Sequence, residues 1–413
     1  MDEDLTRMKT VLYLSYDGMT DPLGQSQVLP YLKGLSKAGY TIHLVSFEKM
    51  DRFRAHSSNI SAICESANIQ WHPQDYAIKG SKLDTWRQVK RMRKIAFYLN
   101  DKHNFDIVHC RSYIAALAGL QLKRKKGVKL IFDMRGFWAD ERVDGGLWDL
   151  KNPVYKRIYN YFKKKEIQFF KESDYTISLT ENGKKEIESW KELKGHTVNI
   201  QVIPCCVDLS LFDSSNFLEN DKLELRSTLG ISKEAFVLGY IGSIGTWYML
   251  SEMLDFFHEL KAHTPNAKFL FISGETPSLI KELAAKKGIR SEDIIVRSVL
   301  HYEVPQYISI FDKSIFFIRP SYSKKASSPT KQGEIMAMGI PLICNSGVGD
   351  TAEIVLKYKA GIVVDDFNNT VYQNVISDAH NYDSKSISQG AKAYFSLEEG
   401  VNRYLSVYKA VHE

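Results

Sequence analysis

Hydrophobic runs alternate with amphipathic segments along most of the chain. Residues 10–16 form an apolar run, and a helical pattern at Val28, Leu29, Leu32 and Leu35 follows it and ends at Gly39. Further strand-like runs lie at 41–47, 69–72, 106–109, 129–134, 175–180 and 199–204. The segments between them with helical spacing are 85–99, 112–123, 153–172 and 182–190. This alternation predicts a parallel sheet covered by helices.

The alternation starts again after residue 235. Strand-like runs lie at 236–242, 268–274, 294–299, 314–320, 341–345 and 361–364. Helical patterns lie at 247–262, 278–287, 303–311, 329–338 and 350–358. We therefore predict an α/β protein of two doubly wound, Rossmann-like domains facing a cleft, since such sheets bind ligands at their strand ends. The predicted domains are 1–205 and 206–395, and a C-terminal helix at 396–413 is expected to pack back on the first domain.

Composition narrows the class of protein. The chain has 413 residues, 44% of them hydrophobic and 25% charged, which is enough apolar material for two cores and excludes a disordered chain. The net charge of +6 is too small to indicate nucleic-acid binding. No apolar run approaches the roughly 18 residues of a spanning helix. The chain also opens without a secretory pattern. We expect a cytoplasmic protein, and any membrane contact is expected to be peripheral, at the inner face.

One helix start is a candidate anion site. Ser328 is predicted to cap a helix whose first residue is Pro329 and which ends at Gly339. The exposed N–H groups of a helix start, with the hydroxyls of Ser327, Ser328 and Thr330 beside them, suit a diphosphate.

Two charged residues follow on that helix. Lys331 and Glu334 are three residues apart, hence on one face and about 4.5 Å apart along the axis. Lys331 is a candidate phosphate ligand, and Glu334 is a candidate acceptor of hydrogen bonds from ribose hydroxyls. An ordinary surface ion pair on a capped helix is the alternative.

The segment SSPTKQGEIMAMGIPLICNSGVGD, residues 327–350, resembles the donor-site signature of family 4 glycosyltransferases, a retaining group with the glycosyltransferase B fold. The resemblance extends over nearly the whole chain. It includes FDIVHCRSY at 105–113, SDYTISLTENGKKEI at 173–187 and VIPCCVDLSLF at 202–212. The resemblance implies that Lys331 and Glu334 act on a nucleotide diphosphate sugar.

The sequence departs from that family at two places. Many members have a glutamate eight positions before the helix glutamate, where it holds sugar hydroxyls, but this chain has Ala326. Ser327 and Ser328 are candidate substitutes. Members often carry basic residues in the loop after the first strand of the second domain, where this chain has Ser243.

Phosphate charge must then be met by other groups. Lys331 and Arg319 are the candidates. The turn containing Gly242, Ser243 and Gly245 is expected to help, because its backbone can approach a phosphate closely.

The first domain supplies candidate acceptor groups. The resemblance implies that the loop containing Gly24, Gln25 and Ser26 approaches the donor phosphate, and a plain surface loop is the alternative. The acceptor-binding candidates at strand ends are His109, Arg111, Asp133, Arg135, Trp138 and Glu141. A hydrogen-bonded structural role is the alternative for His109. Arg111 stands where many members have histidine and suits a phosphate-bearing acceptor.

Two helical segments are basic and amphipathic. Residues 85–99 place Arg87, Lys90, Arg91 and Lys94 on one face, and 153–171 is rich in Tyr, Phe and Lys. Such helices can contact an anionic membrane surface beside a lipid-linked acceptor. A solvated face on a core helix is the alternative.

The predicted activity is transfer of a sugar from a nucleotide diphosphate sugar to a glycan or lipid-linked acceptor, with retention, in cell-surface polysaccharide synthesis. We expect this hexosyl- or related glycosyltransferase to need neither a metal nor a cofactor, since no paired-Asp motif for Mg²⁺ is apparent and Lys331, Arg319 and the helix start can meet the phosphate charge. The alternatives are a nucleotide-sugar epimerase of the same fold and a catalytically silent nucleotide-binding homologue.

Overall fold

A computed structural model describes residues 9–76, 82–378 and 380–412, with the backbone alone at 82, 83 and 85. The chain divides into two compact units. Unit 1 contains the described residues of Met1–Pro204, the short segment Lys325–Ser327 and the chain end from Leu397, and unit 2 contains Cys205–Lys324 and Ser328–Ser396.

Unit 1 is built on a parallel sheet, which within the described residues has seven strands in the order β3-β2-β1-β4-β5-β6-β7. The strands are β1 (Thr10–Ser15), β2 (Thr41–Glu48), β3 (Ile69–Asp75), β4 (Ile107–Arg111), β5 (Lys129–Asp133), β6 (Tyr175–Ser178) and β7 (Ile200–Val202). The helices are α1 (Pro22–Gln27), α2 (Leu29–Lys37), α3 (Met50–Ser66), α4 (Lys82–His103), α5 (Ser112–Lys126), α6 (Trp138–Asp144), α7 (Pro153–Glu172) and α8 (Glu181–Glu188). The central strands are buried on both faces, as helical layers on both sides of a sheet require.

Unit 2 repeats this plan with six strands in the described chain, in the order β10-β9-β8-β11-β12-β13, all parallel. The strands are β8 (Val237–Ile241), β9 (Lys268–Ile272), β10 (Ile294–Arg297), β11 (Lys313–Phe316), β12 (Leu342–Asn345) and β13 (Gly361–Val364). The helices are α9 (Glu219–Thr228), α10 (Leu250–His263), α11 (Pro277–Lys286), α12 (Val304–Ile308), α13 (Thr330–Ala337), α14 (Thr351–Lys357), α15 (Asn369–Ile376) and α16 (Ser384–Phe395). The prediction of two doubly wound domains is confirmed.

The last helix, α17 (Leu397–His412), belongs to unit 1 and packs on α2. The rings of Tyr404 and Tyr31 meet edge to face with their centroids 5.2 Å apart. Gly34 allows the close approach of the two helices, because a Cβ at that position would lie 2.6 Å from Val401 Cγ1. The second α/β domain therefore ends at Ser396, and the chain returns to complete the core of the first.

Six helices do not appear in the sequence prediction, namely α1, α3, α6, α9, α15 and α16. The reason is clearest in α3, a 17-residue helix whose buried side chains are Ile60 and Cys64. A helix that buries so narrow a stripe gives a weak periodic signal.

In each sheet the chain first reverses its direction of winding beside the first strand. This switch point lies between β1 and β4 in unit 1, and between β8 and β11 in unit 2. Open α/β sheets bind ligands beyond the carboxyl ends of their strands at such points. None of the helices in the described parts of the chain has both the length and the apolar composition needed to cross a bilayer.

Candidate active site

In unit 2, Lys331 is enclosed at the switch point between β8 and β11. Its Nζ lies 3.9 Å from the ring centroid of Tyr240 and 3.6 Å from that of Tyr248. The residue is 7% exposed, and within the described residues no acceptor lies in hydrogen-bond reach of Nζ. Burial lowers the pKa of Lys331 well below its ordinary value, although Glu334 opposes this shift. The ammonium group is held by two aromatic faces and has no anionic partner in contact.

Gly242 leaves space beside the lysine. A Cβ at this position would lie 3.3 Å from Lys331 Nζ, and the residue has φ +94, in the left-handed region that favours glycine. Gly242 is exposed, whereas Lys331 is buried. A small ligand above this turn can therefore come close to the ammonium group, since no side chain at residue 242 stands in the way.

Glu334 is nearly buried one turn further along α13. Its Oε1 accepts a hydrogen bond from His301 Nε2 at 3.1 Å. This bond raises the pKa of His301 above its ordinary value, while partial burial acts in the opposite direction. Glu334 thus already has a partner, and a ribose hydroxyl would share the carboxylate with His301. Sequence reasoning missed His301, because the start of a short 3-10 helix (His301–Glu303) carries no recognisable motif.

The backbone N–H groups of the turn after β8 are already bound by a carboxylate of the protein. The N–H groups of Ile244 and Gly245 donate to Glu275 Oε1 at 3.3 and 3.5 Å, and Tyr240 donates to the carbonyl of Ser243 at 2.7 Å. Glu275 follows β9 and was not among the sequence candidates. A diphosphate that used these two N–H groups would have to replace the glutamate carboxylate.

Arg319 follows β11 and is exposed, with its guanidinium 5.1 Å from the ring centroid of Trp247. The same ring carries Lys324 Nζ at 3.8 Å. Trp247 precedes Tyr248, one of the two rings that enclose Lys331. Two further cations therefore lie on the aromatic segment that leads to the buried lysine.

The start of α13 differs from the sequence prediction. The helix begins at Thr330 and Pro329 is its N-cap residue, so the prediction that Ser328 caps it is wrong. The Ser328 hydroxyl instead accepts a hydrogen bond from the N–H of Cys205 at 3.1 Å. Gly339, with φ +73, follows the last turn as predicted. Ser327, Ser328 and Thr330 are all partly exposed.

Ala326 is fully buried in the core of unit 1. An ideal Cβ on Gly183 would lie 2.9 Å from the Cβ of Ala326, so the two backbones are in close contact. The neighbouring carbonyl of Lys325 accepts a hydrogen bond from Thr180 Oγ1 at 2.7 Å. A glutamate at 326 would bring a carboxylate into this buried contact, where the small side chain of alanine fits.

In unit 1, His109 and Asp133 lie in the interior rather than at an open surface. His109 Nδ1 is 2.7 Å from Tyr408 Oη, and Tyr404 donates to Asp133 Oδ2 at 2.9 Å. The exposed fractions of the two side chains are 1% and 0%, so an acceptor cannot contact them in this arrangement. Burial would raise the pKa of Asp133, but Arg135 and His109 lower it below the ordinary value. The structural alternative for His109 is the one that the geometry supports.

Other predicted groups of unit 1 are also placed by packing. Trp138 stacks on Tyr113 and lies under the Arg142 guanidinium at 4.3 Å, so it is not an open stacking face for a sugar. Gly24 lies inside α1 and not in a loop, and a Cβ there would lie 2.3 Å from the carbonyl oxygen of Gly18. Its small size serves this backbone contact.

The remaining candidates are closer to the switch point of unit 1. Arg111 ends β4 and is buried, whereas Arg135 and Glu141 are partly exposed, the first two residues after the end of β5 and the second on α6. Arg135 has φ +56, an uncommon conformation for a residue with a side chain.

Comparison with known proteins decides the family. The sequence model of Glycosyltransferase Family 4 matches residues 25–211, and that of glycosyl transferases group 1 matches residues 221–393. The chain belongs to the family 4 glycosyltransferases. Alpha-monoglucosyldiacylglycerol synthase of Acholeplasma laidlawii is 23% identical to it over 330 residues, which cover 77% of this chain and 75% of the relative.

Solved structures agree on the fold. Sucrose-phosphate synthase of Thermosynechococcus elongatus superposes with a TM-score of 0.74 at 14% identity, covering 98% of this chain and 99% of that one. HepE of Anabaena, solved with UDP and glucose, gives a TM-score of 0.69 at 14% identity, covering 98% and 100%. At such identity the likeness shows the glycosyltransferase B fold alone, and the prediction of that fold is confirmed.

In unit 2, this family 4 glycosyltransferase thus holds a buried lysine between two tyrosine rings, at Lys331. The enclosing tyrosines were missed from sequence because neither Tyr240, within an apolar strand, nor Tyr248, beyond a glycine turn, stands out in its local pattern.

Proposed function

We propose that this glycosyltransferase moves a hexose or related sugar from a nucleotide diphosphate sugar to a glycan or lipid-linked acceptor, with retention at the anomeric carbon. The observation that carries the proposal is the buried ammonium of Lys331. It lacks a hydrogen-bond acceptor among the described residues and lies beside the glycine turn at the switch point of unit 2. A phosphate oxygen is the ligand that such a group lacks.

Lys331 and Glu334 are the proposed catalytic residues. The bond from the anomeric carbon to the diphosphate breaks, a bond to an acceptor hydroxyl oxygen forms, and the hydroxyl proton passes to the departing diphosphate. Lys331 stabilises the negative charge that develops on the leaving group, with α13 and Arg319 contributing. Glu334, oriented by His301, accepts a hydrogen bond from the ribose. Gly242, Ser243, Gly245, Ser327, Ser328 and Thr330 remain proposed donor contacts, and metal independence is part of the proposal.

The donor panel should begin with UDP and UDP-glucose, because the HepE structure holds UDP and glucose. The first test is calorimetric binding of these two compounds, followed by transfer to a mixed glycan and glycolipid panel with and without EDTA. The anomeric coupling constant of the product, measured by NMR, reports retention or inversion. Absence of nucleotide binding across uridine, guanosine and adenosine diphosphates would refute the donor site. A product with inverted configuration would refute the retaining mechanism, and activity lost in EDTA would refute metal independence.

Donor incubated alone separates transfer from the epimerase alternative, since an epimerase isomerises the nucleotide sugar without an acceptor. Nucleotide binding without turnover would instead indicate the silent homologue. The relative from Acholeplasma laidlawii is named for making alpha-monoglucosyldiacylglycerol, which supports a lipid-linked acceptor here and a role in cell-surface glycan or glycolipid synthesis.

Contact with the inner face of a membrane is also part of the proposal. On α4 the residues Met92 and Ala96 are buried and basic residues are exposed, with Trp86 46% and Tyr98 65% exposed beside them. Trp86 meets Tyr161 of α7 edge to face at 5.7 Å, so the two basic helices form one surface. The side chain of Thr85, in the predicted segment, lies outside the described residues. Basic and aromatic groups of this kind bind anionic lipid surfaces.

Vesicle sedimentation tests this contact. The wild type should bind phosphatidylcholine vesicles containing phosphatidylglycerol and not pure phosphatidylcholine vesicles. Changing Lys90, Arg91 and Lys94 together to Gln should weaken binding roughly 100-fold, at ~1 kcal/mol for each charge. Equal binding by this triple variant would refute the proposed surface, and Lys286→Gln, on an exposed position of α11, is the matched control.

A further inference from the structure

The switch point of unit 1 places a buried arginine where a ligand is expected. Arg111 is the last residue of β4 and pairs with Ser15, the last residue of β1. These two strands flank the position where the order of the sheet reverses. Switch points of this kind are the usual ligand sites of open α/β sheets.

The guanidinium of Arg111 has buried hydrogen-bond donors that are not satisfied within the described residues. Its side chain is 5% exposed, and within the described residues neither Nε nor Nη1 has a hydrogen-bond acceptor. Asp17 is the ion-pair partner of Arg111, but its Oδ2 lies 3.7 Å from Nε, which is too far for a hydrogen bond. Buried donors without acceptors are costly, so a ligand that supplies acceptors here gains binding energy.

A helix start adds to this site. Arg111 is the N-cap residue of α5, a 15-residue helix that, in the described structure, has neither a side-chain cap nor an acidic residue in its first turn. The partial positive charge of such a helix start favours an anion. The residue that follows Arg111, Ser112, has φ +68, an unusual conformation of the kind that collects at functional sites.

The loop after β1 is not available to the same ligand. The N–H groups of Met19 and Thr20 donate to the carboxylate of Glu48 at 2.8 and 3.0 Å, and Glu48 is buried. Anion binding at this switch point therefore depends on Arg111 and the start of α5.

The charged residues around Arg111 are compatible with a bound anion. Asp133 lies at the neighbouring strand end, and Arg135 Nη1 approaches its Oδ1 to 3.9 Å. Asp17 is the exchangeable charge, since its side chain is 54% exposed. Arg142 of α6 also interacts electrostatically with Asp17, and its Nε has no acceptor in the described chain. An anion that replaced Asp17 would thus lie beside Arg111 and also interact electrostatically with Arg142.

We propose that Arg111 and the N-terminus of α5 bind a phosphoryl group of the acceptor, which takes the place of Asp17 beside the guanidinium. This inference deepens the proposed function and rests on it, since it names the class of acceptor. A phosphoryl group fits better than a carboxylate, because its additional oxygens can accept from the helix N–H groups while two oxygens accept from the arginine.

Binding of small probes tests the site without turnover. Isothermal titration calorimetry on the full chain, in the presence of UDP, would compare hexyl phosphate, hexanoate, hexyl glucoside and glucose 1-phosphate. Hexyl phosphate should bind at least ~10-fold more tightly than hexanoate or hexyl glucoside, since charge-assisted hydrogen bonds would supply the difference. Tighter binding of hexyl phosphate than of glucose 1-phosphate points to a lipid-linked phosphate, and the reverse order to a soluble phosphosugar.

Two variants change the affinity in opposite directions. Arg111→Gln should weaken hexyl phosphate binding ~10-fold or more. Asp17→Asn should tighten it roughly 2- to 5-fold, because the competing surface carboxylate is gone. Arg124→Gln is the matched control, since this arginine is also in unit 1 but is exposed and paired with Glu172.

Equal affinity for the phosphate, carboxylate and glucoside probes would overturn the inference. So would weaker or unchanged binding by Asp17→Asn, a variant at an exposed position that tests the site even where Arg111→Gln fails to fold. The UDP titration alone reports the donor site in unit 2. A chain that binds hexyl phosphate but not UDP would therefore refute the proposed donor and leave the phosphoryl site standing.

Discussion

Replacing Lys331 by methionine should stabilise the ligand-free protein and at the same time remove its donor site. Methionine keeps most of the unbranched side chain between Tyr240 and Tyr248 but carries no charge. Burying an ammonium costs several kcal/mol, and each of the two tyrosine rings returns up to ~2 kcal/mol. Because burial lowers the pKa of Lys331 despite the nearby Glu334, the cost of burial is the larger effect. We expect the free energy of unfolding of Lys331→Met to rise by ~1 kcal/mol or more.

The functional effect should have the opposite sign. Loss of a preorganised cation at the leaving group should reduce transfer by ~10²-fold or more. Nucleotide affinity should fall as well, because the ligand loses its buried cationic partner. Urea unfolding monitored by circular dichroism measures the first effect, and UDP titration with a transfer assay measures the second.

The pH dependence gives an independent check. The pKa of Lys331 is lowered in the folded state, so between that pKa and the ordinary value the unfolded chain binds more protons. The stability of the ligand-free wild type relative to Lys331→Met should therefore increase as pH rises from the folded pKa to the ordinary value. Below the folded pKa both states carry the charge, and the full cost of burial is present.

A surface lysine of the same unit provides the control. Lys286→Met removes an exposed charge at the end of α11 and should change neither stability nor turnover appreciably. If Lys331→Met were less stable than the wild type and still bound UDP normally, the assignment of the buried lysine to the donor would be refuted.

Four further predictions concern contacts within the individual units. Tyr408→Phe should cost ~1–3 kcal/mol in urea unfolding, because it leaves His109 Nδ1 buried without its partner at 2.7 Å. Since burial lowers the pKa of His109, the stability contributed by this residue is present above its unfolded pKa of ~6.5 and is lost as pH falls through the folded pKa. Gly24→Ala should lower the melting temperature by several degrees, because the added Cβ would overlap a backbone carbonyl at 2.3 Å. Glu334→Gln should lower the pKa of His301, measured by NMR titration of its ring proton, because the carboxylate hydrogen bond raises that pKa in the wild type.

The two predictions about packing, Tyr408→Phe and Gly24→Ala, each have a control within the chain. Tyr98→Phe changes an exposed hydroxyl, and Gly274→Ala adds a Cβ with nothing within 4 Å. Stability losses in these controls equal to those of Tyr408→Phe and Gly24→Ala would contradict the packing arguments. An unchanged His301 titration in Glu334→Gln would show that the carboxylate does not interact with that ring in solution.

Local sequence patterns were sufficient for the sheets. Parallel strands covered on both faces are continuous apolar runs, and this signal marked β1 and the other strands named above within a few residues. Helices that bury a narrow stripe, such as α3, gave no comparable signal. The family resemblance marked the segment that contains Lys331 and Glu334, because spacing within one helix is a local property.

What surrounds that segment was decided by the tertiary structure. The partners of Lys331 and Glu334 are Tyr240, Tyr248 and His301, which lie 33 to 91 positions earlier in the chain. The order of the strands in the sheet brings them close to α13. No local pattern records such a contact, since its energy arises from burial after the sheet has formed.

The same reason separates the two strand-end residues of unit 1. From sequence His109 and Arg111 look equivalent, two residues apart on β4. Residues two positions apart lie on the same face of a strand. Nevertheless, Tyr408 of α17 contacts His109, whereas none of the described residues supplies a hydrogen-bond acceptor to Arg111 Nε or Nη1. The chain's amino-acid order determined the layers of this glycosyltransferase, and the return of its last helix determined that the buried His109 and Asp133 have hydrogen-bond partners.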